Sequence, residues 1–245
     1  MRKLEAVKAQ LLAVEALKSL RRVMSGKEVL ELLESKGLRI TQVDLSRYVT
    51  GTVLPSPARS MKILKLLSEA NVLGLAVKQA LVMDERGVVN VTRIAYDTAV
   101  LGLAAARAYT ELNDLGVTKV LTAAVNGIPL AVKISHVLDA DLCVARQEPD
   151  VSSSGYLEVR YFAPDPPRYA HLYLPSFALR EGDSVLIVDD LLRSGRTLKA
   201  LTELASQKRA NVKAVFTLVA IGENWRSSIP RTASKILVAL EVKET

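Results

Sequence analysis

Two neighbouring carboxylates, Asp189 and Asp190, follow the apolar run Val185-Leu-Ile-Val188 and precede a small polar turn, Arg193-Ser-Gly-Arg-Thr197. These residue types suit a phosphorylated ligand that also carries hydroxyls. Gly195 lets the backbone approach a phosphate closely. Leu198, Leu201, Leu204 and Ala205 then fall on one helical face, so the turn opens a helix whose free N–H groups and dipole favour an anion. Ser194 and Thr197 add hydroxyl donors, and Arg193 and Arg196 add positive charge. Two adjacent acids would repel a bare phosphate. They make sense beside a ligand with vicinal hydroxyls, such as a ribose 5-phosphate, and they can hold Mg²⁺ directly or through water. The stretch has neither the Gly-Lys-Ser/Thr of a Walker A loop nor the Gly-x-Gly-x-x-Gly of a dinucleotide fold.

The elements that must position these residues alternate between strand and helix from residue 90 onward. Val185–Val188, β-branched at three of four positions, reads as a strand buried on both faces of a parallel sheet. Before it come a helix over 95–114 ended by Gly116, a strand over 119–124, a turn Val125-Asn-Gly-Ile-Pro-Leu130, a helix over 131–138 and a strand over 142–145. Strands over 157–162 and 171–174 flank the Pro-rich tip 163–167. Further strands are expected over 212–221 and 235–242. The pattern predicts an α/β fold, mostly parallel, with one antiparallel excursion.

The first third of the chain differs in charge. Residues 1–80 hold 14 Lys/Arg against 7 Asp/Glu, whereas residues 81–245 hold 19 of each, so the whole net charge of +7 lies N-terminally. That asymmetry predicts an N-terminal segment that meets a polyanion. The junction is placed at Met83-Asp-Glu-Arg-Gly-Val88, giving a helical domain over 1–85 and an α/β domain over 86–245. Cys143, the one cysteine, lies in the apolar stretch Leu142-Cys-Val144 and reads as a packed core thiol. With a single cysteine and two histidines there is neither a disulfide framework nor a zinc cluster. The chain shows no apolar run of transmembrane length and no leader pattern, so a cytoplasmic protein without a membrane partner is expected.

Within 1–85 the apolar spacing predicts four helical stretches and a helix-turn-helix. Residues 1–24 carry the stripe Leu4, Val7, Leu11, Val14, Leu17, Leu20, which must pack on neighbouring helices or on a second copy. A helix over 27–35 ends at Gly37. Thr41 is an N-cap with Asp44 three residues on, and the helix over 42–49 turns Val43, Leu45 and Val49 inward. Ser56-Pro57 reads as N-cap and first residue of the next helix, in which Met61, Leu64 and Leu67 face the core. On this reading the DNA-recognition helix is 57–67. Ser56, Arg59, Ser60 and Lys62 reach base edges and phosphates, and Arg47 and Thr52 touch the DNA backbone.

The stretch 184–197, four apolar residues, Asp-Asp, two apolar residues and a small-polar turn ending in Thr, resembles the phosphoribosyl pyrophosphate (PRPP) signature of type I phosphoribosyltransferases. The resemblance implies that Asp189, Asp190, Arg193, Ser194, Gly195, Arg196 and Thr197 bind the ribose 5-phosphate, with Asp189 and Asp190 beside Mg²⁺. It implies a pyrophosphate loop at Val125, Asn126 and Gly127, assisted by Arg146, and a base stacked on Trp225, the alternative being that this single Trp packs in the fold. Many family enzymes have Lys after that basic residue, and here Gln147 follows. No catalytic residue is singled out. A phosphoribosyltransferase-like segment behind a basic helical one is similar to the phosphoribosyltransferase-like transcriptional regulators of bacteria and archaea. That implies a homodimer on double-stranded DNA controlled by PRPP or a purine nucleotide. The other activity it implies is nucleobase phosphoribosyl transfer.

Overall fold

Five parallel strands form the sheet in the order β2-β1-β5-β6-β7. They are β1 (Lys119–Ala123), β2 (Asp141–Ala145), β5 (Ser184–Leu192), β6 (Asn211–Ile221) and β7 (Lys235–Val242). Strands β3 (Tyr156–Pro164) and β4 (Pro167–Pro175) make a separate antiparallel hairpin. The hairpin touches the edge of the sheet through a bridge between Arg146 and Tyr173. The computed structural model describes residues 3–84, 89–149, 151, 153–164 and 167–244. Residues 85–88 of the expected domain junction, and 165–166 at the tip of the hairpin, lie outside them.

The sheet is wound on both faces. Along β1, Val120 faces one core and Leu121 the other. Helix α8 (Gly127–Leu138) covers the first face together with α7 (Thr98–Leu112), and α9 (Arg196–Gln207) covers the second beside the hairpin. The chain runs from β1 outward to β2 and returns to β5 on the other side of β1. The strand order therefore reverses between β1 and β5, and the loops after those strands open a crevice at their carboxyl ends, where open α/β sheets bind ligands.

Several boundaries differ from the sequence pattern for local reasons. Strand β5 continues to Leu192, so Asp189 and Asp190 belong to the strand rather than following it. Asp189 pairs with Thr217 and Leu191 with Val219 of β6, and that ladder carries the strand past the acids. Helix α8 starts at Gly127, earlier than the expected 131, because Pro129 fits a first helical turn. The helix expected over 95–114 is α7, which starts only at Thr98 after the short α6 (Val91–Ala95), because the Asp97 carboxylate accepts from the N–H groups of Ala99 and Val100 and caps it.

Helices α1 (Lys3–Leu20), α2 (Gly26–Ser35), α3 (Gln42–Thr50), α4 (Pro57–Glu69) and α5 (Val72–Ala80) form the N-terminal part. Their core is continuous with that of α7 and α8. Capping boxes start α2 and α3, with Ser25–Glu28 and Thr41–Asp44 bonding reciprocally. Helix α1 buries Ala9, Leu12, Ala13, Ala16, Leu17 and Leu20. Within this chain the first half of the stripe, Leu4, Val7 and Leu11, is exposed, and α1 meets its neighbouring helices through the alanines with Leu12, Leu17 and Leu20. Val43 and Met61 also point outward; Ile63 and the completely buried Ser60 take the inward positions of α4. Among the described residues no helix is long and apolar enough to cross a membrane.

Candidate functional site

At the end of β5 the hydrophobic run turns into charge inside the fold. Asp189 is 6% exposed and its neighbour Asp190 is half-buried. The Asp190 N–H donates to Asp189 Oδ1 at 3.0 Å. Burial pushes the Asp189 carboxyl well above the usual carboxylate range, and the charge of Asp190 and a hydrogen bond to it push the same way. Such a pair is stored electrostatic strain, which ligand hydroxyl donors or a cation would relieve. Among the described residues no three His, Cys, Asp or Glu form a ready-made metal cage. A Mg²⁺ held at Asp189 and Asp190 would take its other oxygens from ligand and water, as that ion commonly does.

The turn after the strand is shaped by Gly195, which caps α9 at φ +72°. A Cβ on Gly195 would lie 2.5 Å from Ser228 Oγ and 3.0 Å from the Trp225 Cα. Helix α9 thus begins with its first N–H groups presented beside the acids, with Arg196 exposed and Ser194 and Thr197 half-buried. Arg193 is turned to the C-terminal segment, where its Nε donates to Glu244 at 3.2 Å. Gly195→Ala is expected to cost about 1–2 kcal/mol for the left-handed backbone alone. It should also weaken binding of a ribose 5-phosphate at least about tenfold by moving the turn. Melting curves and calorimetry check both, and Ser228→Gly alongside should recover only the steric part.

On the neighbouring strand, the loop after β1 packs against β5. Gly127 begins α8 with its Cα against the Thr122 hydroxyl, and a Cβ there would stand 3.7 Å from the Val188 carbonyl, one residue before Asp189. The Ala124–Val125 peptide is cis, and the Ala124 N–H donates to the Ala145 carbonyl at 2.8 Å, tying this loop to the end of β2. Val125 and Ile128 share a cleft of about 580 Å³ with Arg146, Gln147 and Glu148. The fold therefore brings the Val125–Gly127 loop, Arg146 and the two acids to one end of the sheet. Cys143 is buried, donates to the Ala178 carbonyl and has its thiol pushed up to about 11 by burial.

Trp225 corrects the expectation that it stacks on a base. It is completely buried, its Nε1 donates to the Gly222 carbonyl at 2.9 Å, and the Arg226 guanidinium lies over its ring at 4.6 Å. The Trp225 backbone, with the Ser228 side chain, lies against Gly195 at the turn after β5. Sequence spacing put it near the site; only packing shows which way it points.

The residues expected to read DNA separate into two groups. Ser60 is excluded: it is completely buried, and its hydroxyl bonds the carbonyls of Pro55 and Ser56. Ser56 caps α4, accepting from the Arg59 N–H. Arg59 donates to the Tyr48 hydroxyl at 2.8 Å, and Lys62 donates to the Gly37 carbonyl at 2.7 Å. Arg59 and Lys62 thus tie α4 to α3 and the turn before it, while Ser56 and Ser60 shape the start of α4 itself. Arg47 and Thr52 are exposed, Thr52 in hydrogen-bond contact with Thr50.

With this geometry in place, the chain can be set beside known proteins. The model of the phosphoribosyl transferase domain matches residues 96–229, more than half of the chain. The purine biosynthesis transcriptional activator PurR of Lactococcus lactis is 30% identical over 97 residues, which are 40% of this chain and 36% of that protein. The purine biosynthesis transcriptional repressor PurR of Bacillus subtilis is 25% identical over 193 residues, 76% of this chain and 68% of that one. This chain thus spans little more than a third of the activator. Among solved structures, adenine phosphoribosyltransferase from Rhodothermus marinus superposes with a TM-score of 0.61 at 21% identity, covering 70% of this chain and 99% of that one.

Proposed function

Because the chain belongs to the phosphoribosyl transferase domain family, we propose that it is a DNA-binding transcriptional regulator of purine or nucleotide metabolism genes, controlled by PRPP or a purine nucleotide. The ribose hydroxyls lie on Asp189 and Asp190, and the 5-phosphate on the N–H groups and hydroxyls of Ser194–Thr197. The diphosphate lies along Val125–Gly127 with Arg146. Asp189 and Asp190 would hold a Mg²⁺, which would supply charge neutralisation. The basic N-terminal helices of a homodimer bind double-stranded DNA.

The observation that carries this reading is the combination in one chain: a strained acid pair beside a glycine-shaped helix start, and a charge of +7 confined to residues 1–80. The purine biosynthesis regulators it resembles support the same assignment. An effector alters DNA affinity only through its differential affinity for two arrangements of the protein.

The deciding experiment is fluorescence anisotropy of a labelled duplex from upstream of the gene, with scrambled competitor, titrated with Mg²⁺ and PRPP. Competitor-resistant binding that PRPP shifts is expected. Affinity should fall at least about 100-fold between roughly 50 and 200 mM salt if phosphate contacts dominate. A flat salt response would remove DNA as the partner.

The intact cleft of Val125, Ile128 and Arg146 favours a second reading, an active nucleobase phosphoribosyltransferase. The burial of Trp225 counts against it, since the expected base platform is gone. Pyrophosphate release over a panel of nucleobases separates the two.

A further inference from the structure

Helix α3 presents a face whose side chains the fold leaves in solvent. On α3, Gln42, Val43, Ser46, Arg47 and Thr50 are all exposed, while Leu45 and Tyr48 are buried. The spacing puts the exposed five on a single side of the helix. Val43 is 56% exposed, an apolar residue turned to solvent at the start of a helix. On α4, by contrast, two basic side chains have partners within the fold: Arg59 donates to Tyr48 of α3 and Lys62 to the Gly37 carbonyl between α2 and α3, while Ser60 is buried on the carbonyls at its own helix start.

The charge around α3 identifies the occupant. Between residues 36 and 65 the chain carries six Lys or Arg and a single acid, Asp44. That acid is turned back on the helix start, where its carboxylate accepts from the Thr41 N–H. The residue chemistry fits base edges in a major groove: an amide for adenine, a guanidinium for guanine, and a branched apolar group for the thymine methyl. All three stand in the first turns of α3, the part of a recognition helix that meets bases.

Resting on the regulator reading above, we propose that α3, not α4, is the helix that enters the major groove, with Gln42, Val43, Ser46 and Arg47 reading sequence. Helix α2 crosses the backbone ahead of it, and α4 is the buttress. The unit that docks is therefore α2–turn–α3, one helix earlier than the sequence pattern suggests.

The test selects bound duplexes from a randomised pool of about 30 base pairs, long enough for two half-sites one helical turn apart. Wild-type protein should enrich a defined motif. Gln42→Ala and Arg47→Ala should each bind the enriched duplex about 10- to 100-fold more weakly and lose preference at particular base pairs. Met61→Ala and Lys65→Ala, on the exposed side of α4, should enrich the wild-type motif. Gln42→Arg should enrich a motif altered at one position in each half-site, a gain that unfolding cannot imitate. Motif loss in the α4 variants with an unchanged motif in the α3 variants would overturn the assignment while leaving DNA binding in place. Enrichment of nothing by the wild type would instead remove the regulator reading, and this inference with it.

Discussion

Replacing both acids, Asp189→Asn with Asp190→Asn, is expected to weaken PRPP binding at least about 100-fold, since two charge-assisted hydrogen-bond acceptors are lost. The same change should make the protein harder to unfold at neutral pH. The two effects have one origin. In the folded chain Asp189 is buried against Asp190 and its carboxyl titrates well above the ordinary value; in the unfolded chain it titrates at about 4. Between those values the folded state holds the extra proton, so stability falls as pH rises through that window and stays reduced above it. Asparagine removes the titration. The melting temperature of the variant should exceed that of the wild type above the window, and the difference should close as pH falls towards about 4.

Ligand reverses the order. At a hundredfold excess over the wild-type Kd, PRPP with Mg²⁺ should stabilise the wild type by about 2.7 kcal/mol and the variant by no more than about 0.4 kcal/mol. For a chain of this length the wild-type gain is a shift of roughly 5–10 °C. Calorimetric titration and melts over pH measure both arms. Equal affinity in the two proteins would take the ribose hydroxyls away from these acids. Parallel melting curves at every pH would show that the pair is not strained in the ligand-free protein.

The contrast between the two halves of the chain shows what a sequence discloses. The arrangement of the acid pair and the following turn was readable because their residues are contiguous: Asp189 to Thr197 lie on one strand end and one turn, where order along the chain is order in space. The sheet was readable for a related reason, since buried parallel strands appear as unbroken apolar runs. The surface of the N-terminal helices was not. Ser56 and Ser60 look alike in sequence, yet one caps a helix and the other is sealed in the core, and only the packing of α4 on its neighbours decides this. Val43 and Met61 satisfied an inward helical spacing and face outward all the same. The alanines of α1 share the close contact that the leucine stripe seemed to claim alone. Trp225 fails in the same way, because distance along the chain says nothing about which side of a turn an indole fills.

A bulky side chain at Gly102 is expected to separate the two activities. Helix α1 is the piece common to both. Its Gln10 holds the Pro55 carbonyl, in the turn between α3 and α4, at 2.7 Å. Its Glu15 pairs with Lys133 of α8 at 2.5 Å, and its Lys8 with Asp139 at the end of α8 at 2.8 Å. Helix α8 begins at Gly127, on the loop assigned to the diphosphate. Between α1 and α7, Ser19 rests on Gly102 so closely that a single added carbon would collide with its hydroxyl. Gly102→Leu places a whole isobutyl group there, and overpacking of this kind costs about 1–3 kcal/mol or more. The strain is relieved most easily by lifting α1, because the other side of α7 is committed to the sheet core. DNA affinity should then fall at least about tenfold, and its response to PRPP should vanish, since coupling of 1–3 kcal/mol needs a shared element that both sites bias. PRPP affinity itself should change less than about threefold, because the acids and the turn at Gly195 stand on β5 and α9, away from α1. Gly102→Ala with Ser19→Ala makes room for the added carbon and should restore both DNA binding and its response. Loss of PRPP binding together with DNA binding in Gly102→Leu would mean that the helices and the sheet unfold as one body. Full DNA binding in the same variant would mean that α2–α4 keep their arrangement without the seat of α1 on α7.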